Sequence, residues 1–507
     1  MLCTPSDRRE GVFFHLEKED VLTGQAKLRS ARAVAPGSFE VENHFYPQVI
    51  NAHIHPMVRF FFSLGNERIA RRYCHLNPEV DYEAVLELLS VSTTHMRWGG
   101  ADLFYTTDER GARHMVIIET NSSPSGQKSM PLLQEEHEQG GYRELLLRSF
   151  LPMLRRLKGE LKDAGLAVLH DKNIVETMGY AATLADLTGE PVWHVPWFED
   201  DPDPPAKFDE QGVLQVRDAQ GGWHAVRGAI KYVTQRPWTR IPPATKTVVL
   251  NSSLVCLAGG RNKLLASKAY ELFNGDVEER GLKIDYPETI WDVSLQEVPL
   301  WVKRMGGYAV VKVPYSNAGQ GVYTITSKEE LDAFMAEEHR YDCFIVQALI
   351  GNLKWTSRSS RGRLYHVGTV PNKHGEIHVA DVRVMVGSGD AGFFPVALYA
   401  RRARYPLSDT LTGERTSWEM LGTNLSVKQE REWTTQTERL LLMDSRNFNR
   451  LGLGLDDLVK AYIQTVLSVQ AIDQMACSLL SSKGKFKKKM FSSINPDEAL
   501  TSEILTI

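Results

Sequence analysis

The sequence predicts an α+β protein of several lobes, and three patterns predict it. Apolar runs at 167–170 and 192–195 flank a helical stretch over 174–187, the alternation that builds parallel sheet. Two further short strands, 101–107 and 114–121, are separated by a turn at Gly111. Isolated strands at 308–314, 343–349 and 379–386 precede a long amphipathic helix over 455–480. In it Leu458, Val459, Tyr462, Ile463, Val466 and Leu467 recur at helical spacing.

The remaining elements follow the same logic. A helix is expected over 82–96 from the spacing of Val85, Leu86, Leu88 and Leu89, with Gly99-Gly100 as its stop. Residues 144–161 read as a second helix, kinked at Pro152. The acidic, proline-rich stretch 199–207 is an exposed loop, and the basic run 483–489 with the polar 492–501 reads as a tail. At 507 residues the chain is expected to hold two or more domains, or one large unit of several lobes. A net charge of -4 leaves no electrostatic footprint for nucleic acid. No apolar run approaches the ~18 residues of a membrane span, and residues 1–10 lack an apolar signal-peptide core. Cys3, Cys74, Cys256, Cys343 and Cys477 are scattered without a CxxC pair. That usage fits free thiols in a reducing, cytoplasmic setting.

The strongest local signal is MVIIETNSSPSG, residues 115–126. Strand side chains alternate, so Met115, Ile117, Glu119 and Asn121 are expected on one face. A carboxylate and an amide oxygen then aim at one point, a ligand set that suits Mg²⁺. With the hairpin loop at 108–113, Thr107 pairs with His114 and Asp102 falls opposite Glu119. Facing carboxylates at ~5 Å repel unless a cation lies between them. Read alone, the same residues also fit an exposed acidic hairpin.

The second signal is YAVVKVPYSNAGQGVYTI, residues 308–325. Lys312 interrupts an apolar strand, and a buried ammonium calls for an anion. The following loop, with Ser316, Asn317, Gly319, Gln320 and Gly321, can bring backbone N–H groups against phosphate oxygens. It is neither a Walker A loop nor a dinucleotide fingerprint. In CFIVQALIG, residues 343–351, Gln347 and Leu349 could offer an amide and backbone groups to an adenine edge. Core strand is the plainer reading of that stretch. His53 and His55 share a strand-like spacing but lack a third metal ligand nearby.

Taken in order, these pieces resemble ATP-grasp enzymes. Lys312 resembles the phosphate-binding lysine at the glycine-rich loop, and Lys263 in GGRNKLLASKAY the first such lysine. Gln347 stands where the family contacts the adenine amino group, with Leu349 as the hinge backbone contact. Asp381-Val382-Arg383 is similar to the D-x-R strand of RimK-like and tubulin-tyrosine-ligase-like members, and LGTNLSVK at 421–428 to the tubulin ligases' TN-S-K stretch. Asp102, Glu119 and Asn121 match the family's metal ligands. The E-x-N strand usually comes last; here it comes first, which resembles the circular permutation of eukaryotic glutathione synthetases and glutathionylspermidine synthetases. Gly100 stands where D-alanine ligases carry a substrate arginine, a place that Arg97, Arg401 or Arg402 could take; Arg236 and Asn424 are further substrate candidates, with a plain surface arginine the alternative for Arg236.

The resemblance implies two α+β lobes gripping ATP and Mg²⁺, with a Rossmann-like domain before the grasp. Residues 1–150 would supply the permuted part of the large lobe and 151–255 the Rossmann-like domain. Residues 256–346 would be the lid lobe, 347–480 the rest of the large lobe, and 481–507 a flexible tail. The implied reaction joins a small-molecule carboxylate to an amine through an acylphosphate, on amino-acid, peptide or polyamine substrates. Lys263 and Lys312 would hold phosphates and Arg383 would meet charge at the γ-phosphate. A homodimer is compatible with this reading. A small-molecule kinase and a non-catalytic nucleotide-binding scaffold remain open beside it.

Overall fold

The structure is a computed structural model describing residues 30–316, 321–410, 416–429 and 432–505. Three sheets carry the architecture. The middle one runs Arg32–Val34, Val192–Pro196, Gly165–His170, Trp223–Tyr232, Leu214–Arg217, Ala206–Phe208, with Val248–Leu250 also on Trp223–Tyr232. Gly165–His170 pairs in parallel with Val192–Pro196 across the helix Ile174–Thr188. Leu166, Ala167, Val168 and Leu169 are all fully buried, as a strand covered on both faces must be. The strand Arg32–Val34 lies on Val192–Pro196. Residues 32–34 therefore join this sheet and not the hairpin lobe expected for 1–150.

A second, four-stranded antiparallel sheet orders Thr289–Ser294, Cys343–Gln347, Ala309–Lys312, Val322–Ile325. The third orders Leu364–His366, Trp98–Asp108, Ala380–Gly389, Gly392–Arg402, Leu440–Leu441, with Arg113–Ser122 on the other edge of Trp98–Asp108.

The helix Leu455–Ser478 packs on the third sheet and is covered by Lys263–Val277, Pro56–Ser63 and Gly65–Leu76. It is consequently buried almost all round and not on one stripe. Its polar residues serve backbone partners: Asp473 accepts from Thr94, His95 and Met96 N–H, and Gln464 bridges Asp285 N–H and the Lys283 carbonyl.

Three expectations need correction. The helix expected over 82–96 ends as Tyr82–Ser90, and Gly99-Gly100 lie inside the strand Trp98–Asp108. A Cβ at Gly99 would meet Val469 at 2.5 Å and Met96 at 2.9 Å, so this glycine permits close helix–sheet packing. The helix expected over 144–161 is Gly140–Leu145, a π turn at Leu146–Phe150, and Leu151–Arg155, with Pro152 in the opening turn of the last piece. The stretch from 481 is not a loose tail in the described residues. Helices Lys488–Ile494 and Glu498–Leu505 bury Phe491, Leu500 and Ile504, while Asp497 accepts from Asp342 and Cys343 N–H. Among the described residues no helix is long and apolar enough to cross a membrane.

Candidate active site

The carboxylate hairpin has a register that its loop alone does not reveal. The strands turn one residue tighter than expected, pairing Thr107 with Arg113 and Thr106 with His114. That offset would misalign the carboxylates. A bulge at Ile118 restores it: Leu103 faces Ile117, and Asp102 faces Glu119. The bulge also switches faces. Val116 opposite Phe104, and Glu119 opposite Asp102, lie on the cleft side, whereas Met115 and Ile117 enter the core. The expected shared face of Met115, Ile117, Glu119 and Asn121 is thus corrected. Past the hairpin, Glu176 of the middle-sheet helix accepts from Ser125 Oγ at 2.7 Å and Gly126 N–H at 3.0 Å, fastening the SSPSG turn.

Two lysines reach this hairpin from elsewhere. Lys312, at the end of its strand, donates to the Ile118 carbonyl at 3.0 Å. Lys263 opens the helix Lys263–Val277, whose N-terminus Asn262 caps by accepting from Leu264 and Leu265 N–H. Its Nζ lies 3.4 Å from Glu119 Oε1 and donates to Ser316 Oγ at 3.0 Å. Burial pulls the Lys312 ammonium down to about 8 despite Glu119 beside it. For Glu119, burial and the Asp102 charge push the carboxyl up, but Lys263, Lys312 and Arg383 outweigh them and hold it below its ordinary value.

Across the third sheet Glu119, Asp102, Arg383 and Tyr399 stand opposite one another in turn. Arg383 grips Asp102 with Nε at 2.5 Å and Nη2 at 2.7 Å, and Arg401 Nη2 lies 2.9 Å from Asp102 Oδ2 while also binding Asp381. Burial opposes ionisation of Asp102, but the two guanidinium groups win and hold it at about 2. Both Asp102 oxygens thus have cationic partners. In this structure Asp102 anchors two arginines, and Arg383 spends two donors on that anchor. Glu119 and Asn121 do fit Mg²⁺. The Asn121 Nδ2 is buried without a partner, leaving the amide free to turn its oxygen outward. Among the described residues no group of three or more His, Cys, Asp or Glu side chains is arranged to hold a metal.

Two adjoining cavities meet at Glu119. One, of about 100 Å³, lies between the second and third sheets; Asp102, Lys263, Lys312, Gln347, Leu349, Arg401 and Asn424 border it. The other, of about 140 Å³, adds Asn121, Ser316 and Arg383. It also brings in Lys128, Lys172 and Arg261, which sequence reasoning missed. Lys128 and Arg261 sat inside or beside quoted motifs, but Lys172 follows a middle-sheet strand and had no local signal. Burial and the Arg261 charge bring the Lys172 ammonium down to about 8.

Other candidates lie elsewhere or are already bonded. Leu349 N–H donates to Ser357 Oγ at 2.7 Å and its carbonyl accepts from Ser357 N–H at 3.0 Å, so both backbone groups expected at an adenine edge already have partners. Gln347 Nε2 donates to Thr289 Oγ1 at 2.9 Å and its side chain borders the cleft. Arg236 pairs with Glu199 and Glu503 and lines neither cavity. Arg97 borders a separate cavity. Neither arginine borders the cleft cavities. Exposed His53 meets Glu135 at 2.9 Å, while His55 accepts from Met57 N–H, so the two imidazoles diverge. Gly321, at φ +63°, accepts from Val313 N–H through its carbonyl. Asn317, Gly319 and Gln320 lie outside the described residues.

No family model and no curated protein matches the sequence. Solved structures do. A glutathione synthetase-like effector from Globodera pallida, in apo form, matches at 9% identity over 69% of this chain and 86% of that one, with a TM-score of 0.36. A RimK domain ATP-grasp protein from Sphaerobacter thermophilus matches at 14% identity over 46% and 90%, TM-score 0.26. D-alanyl-alanine synthetase A from Vibrio cholerae matches at 10% identity over 46% and 88%, TM-score 0.28. Of these three, the Sphaerobacter thermophilus protein is the one described as ATP-grasp, and residue roles here rest on the cleft's own geometry.

Proposed function

We propose that this chain is a circularly permuted ATP-grasp ligase that uses ATP and Mg²⁺ to join a carboxylate to an amine. The observation that carries the reading is the convergence of two lysines from separate elements at the junction of two cavities, Lys263 on Glu119 and Lys312 on the carbonyl just before it, close enough for its charge to act on Glu119. Two ammonium groups at one carboxylate suit a polyphosphate bound beside a metal ion. Lys263 and Lys312 hold phosphate oxygens, and Gln347 borders the part of the cleft assigned to the base. Glu119 and Asn121 would hold a magnesium ion, which would supply charge that neutralises the phosphates.

Lys128, Lys172 and Arg261 line the adjoining cavity and receive the substrate carboxylate. That concentration of cations disfavours a polyamine there and favours an amino acid or peptide. One carboxylate oxygen attacks the γ-phosphorus as the bond to the ADP oxygen breaks, giving an acylphosphate. The amine then attacks the acyl carbon and phosphate leaves. Positioning and exclusion of water are the protein's main contributions.

The test is ADP release by the purified chain against paired carboxylates and amines, with hydroxylamine added to trap the acyl group. ADP release that depends on the carboxylate, with a trapped hydroxamate, is expected. A stable phosphorylated product without hydroxamate would instead make the enzyme a kinase. No carboxylate-dependent ADP release from any pair would remove the ligase reading.

A further inference from the structure

Arg97 is 6% exposed, and its Nε and Nη1 have no hydrogen-bond partner among the described residues. A guanidinium stays charged throughout the working pH range, and a buried unpaired charge is costly. Its backbone prevents escape: the N–H donates to Asn251 Oδ1 at 2.9 Å and the carbonyl accepts from Ser388 N–H at 2.8 Å. The nearby carboxylates are already bound. Asp473 accepts three backbone N–H bonds, from Thr94, His95 and Met96, and Asp390 pairs with Arg156 at 2.6 Å.

Arg97 borders a cavity of about 570 Å³ with Ser92, Thr94, Met153, Arg156 and Asp390. That is many times the ~30 Å³ share of one water. Val248 of the middle sheet also borders it, so this cavity, open to solvent, lies where two sheets meet. It shares no bordering residue with the cleft cavities. Arg97 precedes Asp102 by five residues, about 16 Å along an extended strand.

We propose that this cavity is a second ligand site, for a small oxyanion of the phosphate or carboxylate type. Arg97 and Arg156 supply the charge, and the Ser92 and Thr94 hydroxyls supply neutral donors. A bound anion neutralises Arg97 and ties the middle sheet to the hairpin lobe, stabilising the folded chain by mass action.

The experiment titrates the full chain with inorganic phosphate and, separately, acetate at constant ionic strength, reading melting temperature and heat of binding. A saturable rise in melting temperature is expected from at least one anion, and the tighter one names the source. Because the cleft binds the same anions, the part of the rise lost in Arg97→Gln is the one that reports this cavity, and that part should persist in Lys312→Met, which alters only the cleft. Should Arg97→Gln fail to fold, Arg156→Gln decides, with affinity expected to fall roughly tenfold or more. No saturable effect, an effect untouched by both arginine variants, or one lost in Lys312→Met alone would overturn the proposal.

Discussion

Lys312 Nζ donates to the carbonyl of Ile118, the bulged residue immediately before Glu119, at 3.0 Å. The bulge therefore does two things at once: it sets Glu119 opposite Asp102, and it turns a strand carbonyl toward the lysine of the second sheet. Lys312→Met should keep the fold and weaken ATP binding by about 1–3 kcal/mol, the range for a lost charge-assisted contact. Isothermal calorimetry reads this directly, and unchanged affinity would place the phosphates elsewhere.

The two facing carboxylates should behave oppositely when neutralised. Glu119 is 37% exposed in its side chain and borders both cavities. Glu119→Gln should lower turnover by roughly 10²–10³-fold with little change in melting temperature. Asp102 is 3% exposed and anchors two arginines. Asp102→Asn should cost about 3–5 kcal/mol of stability, because it leaves buried guanidinium charge uncompensated. Denaturant unfolding of both variants separates the roles; equal stability losses would contradict the assignment.

Nucleotide binding should take up protons in mildly alkaline solution. Lys312 and Lys172 are brought down to about 8. Above that pH the free protein holds them largely neutral, and an arriving polyanion favours the charged forms. ATP affinity should then fall as pH rises through about 8 to 9. Calorimetry in buffers of different ionisation enthalpy should show proton uptake there and little at pH 6.5; its absence at both would remove Lys312 from the phosphates.

Folding stability should decline on the acid side before the carboxylates titrate. The buried His170 and His194 rings stack at 4.0 Å, and Thr177 Oγ1 lies 2.9 Å from His194 Nε2. Burial brings His170 down to about 4 and His194 well below its ordinary value. An unfolded histidine binds its proton near 6.5, so the unfolded state is the more protonated one below that pH. Stability present above pH 6.5 is lost as pH falls toward 4, and His170→Leu should flatten that slope in urea melts. An unchanged slope would exclude the pair as its source.

How far the sequence could be read depends on the range of each interaction. Glu119 and Asn121 are two residues apart on one strand, so alternation alone aimed them together, and the turn at Gly111 brought Asp102 close to the right register. The loop estimate was one residue off and the unforeseen bulge at Ile118 cancelled the error, because bulges answer to tertiary contacts such as Lys312. The helix Leu455–Ser478 was visible in its period, but not its burial on nearly every side.

By itself the sequence determined the local units: the βαβ segment, the carboxylate hairpin, the lysine strand and the long helix. Each follows from periodicity or backbone freedom within a few residues. Tertiary structure alone decided the partners. Arg383 and Arg401 meet Asp102 only once three strands lie side by side, and Lys128, Lys172 and Arg261 share a cavity only because separate elements converge. Charge acts through space at a few ångströms, and the order of residues along a chain does not record which distant ones come that near.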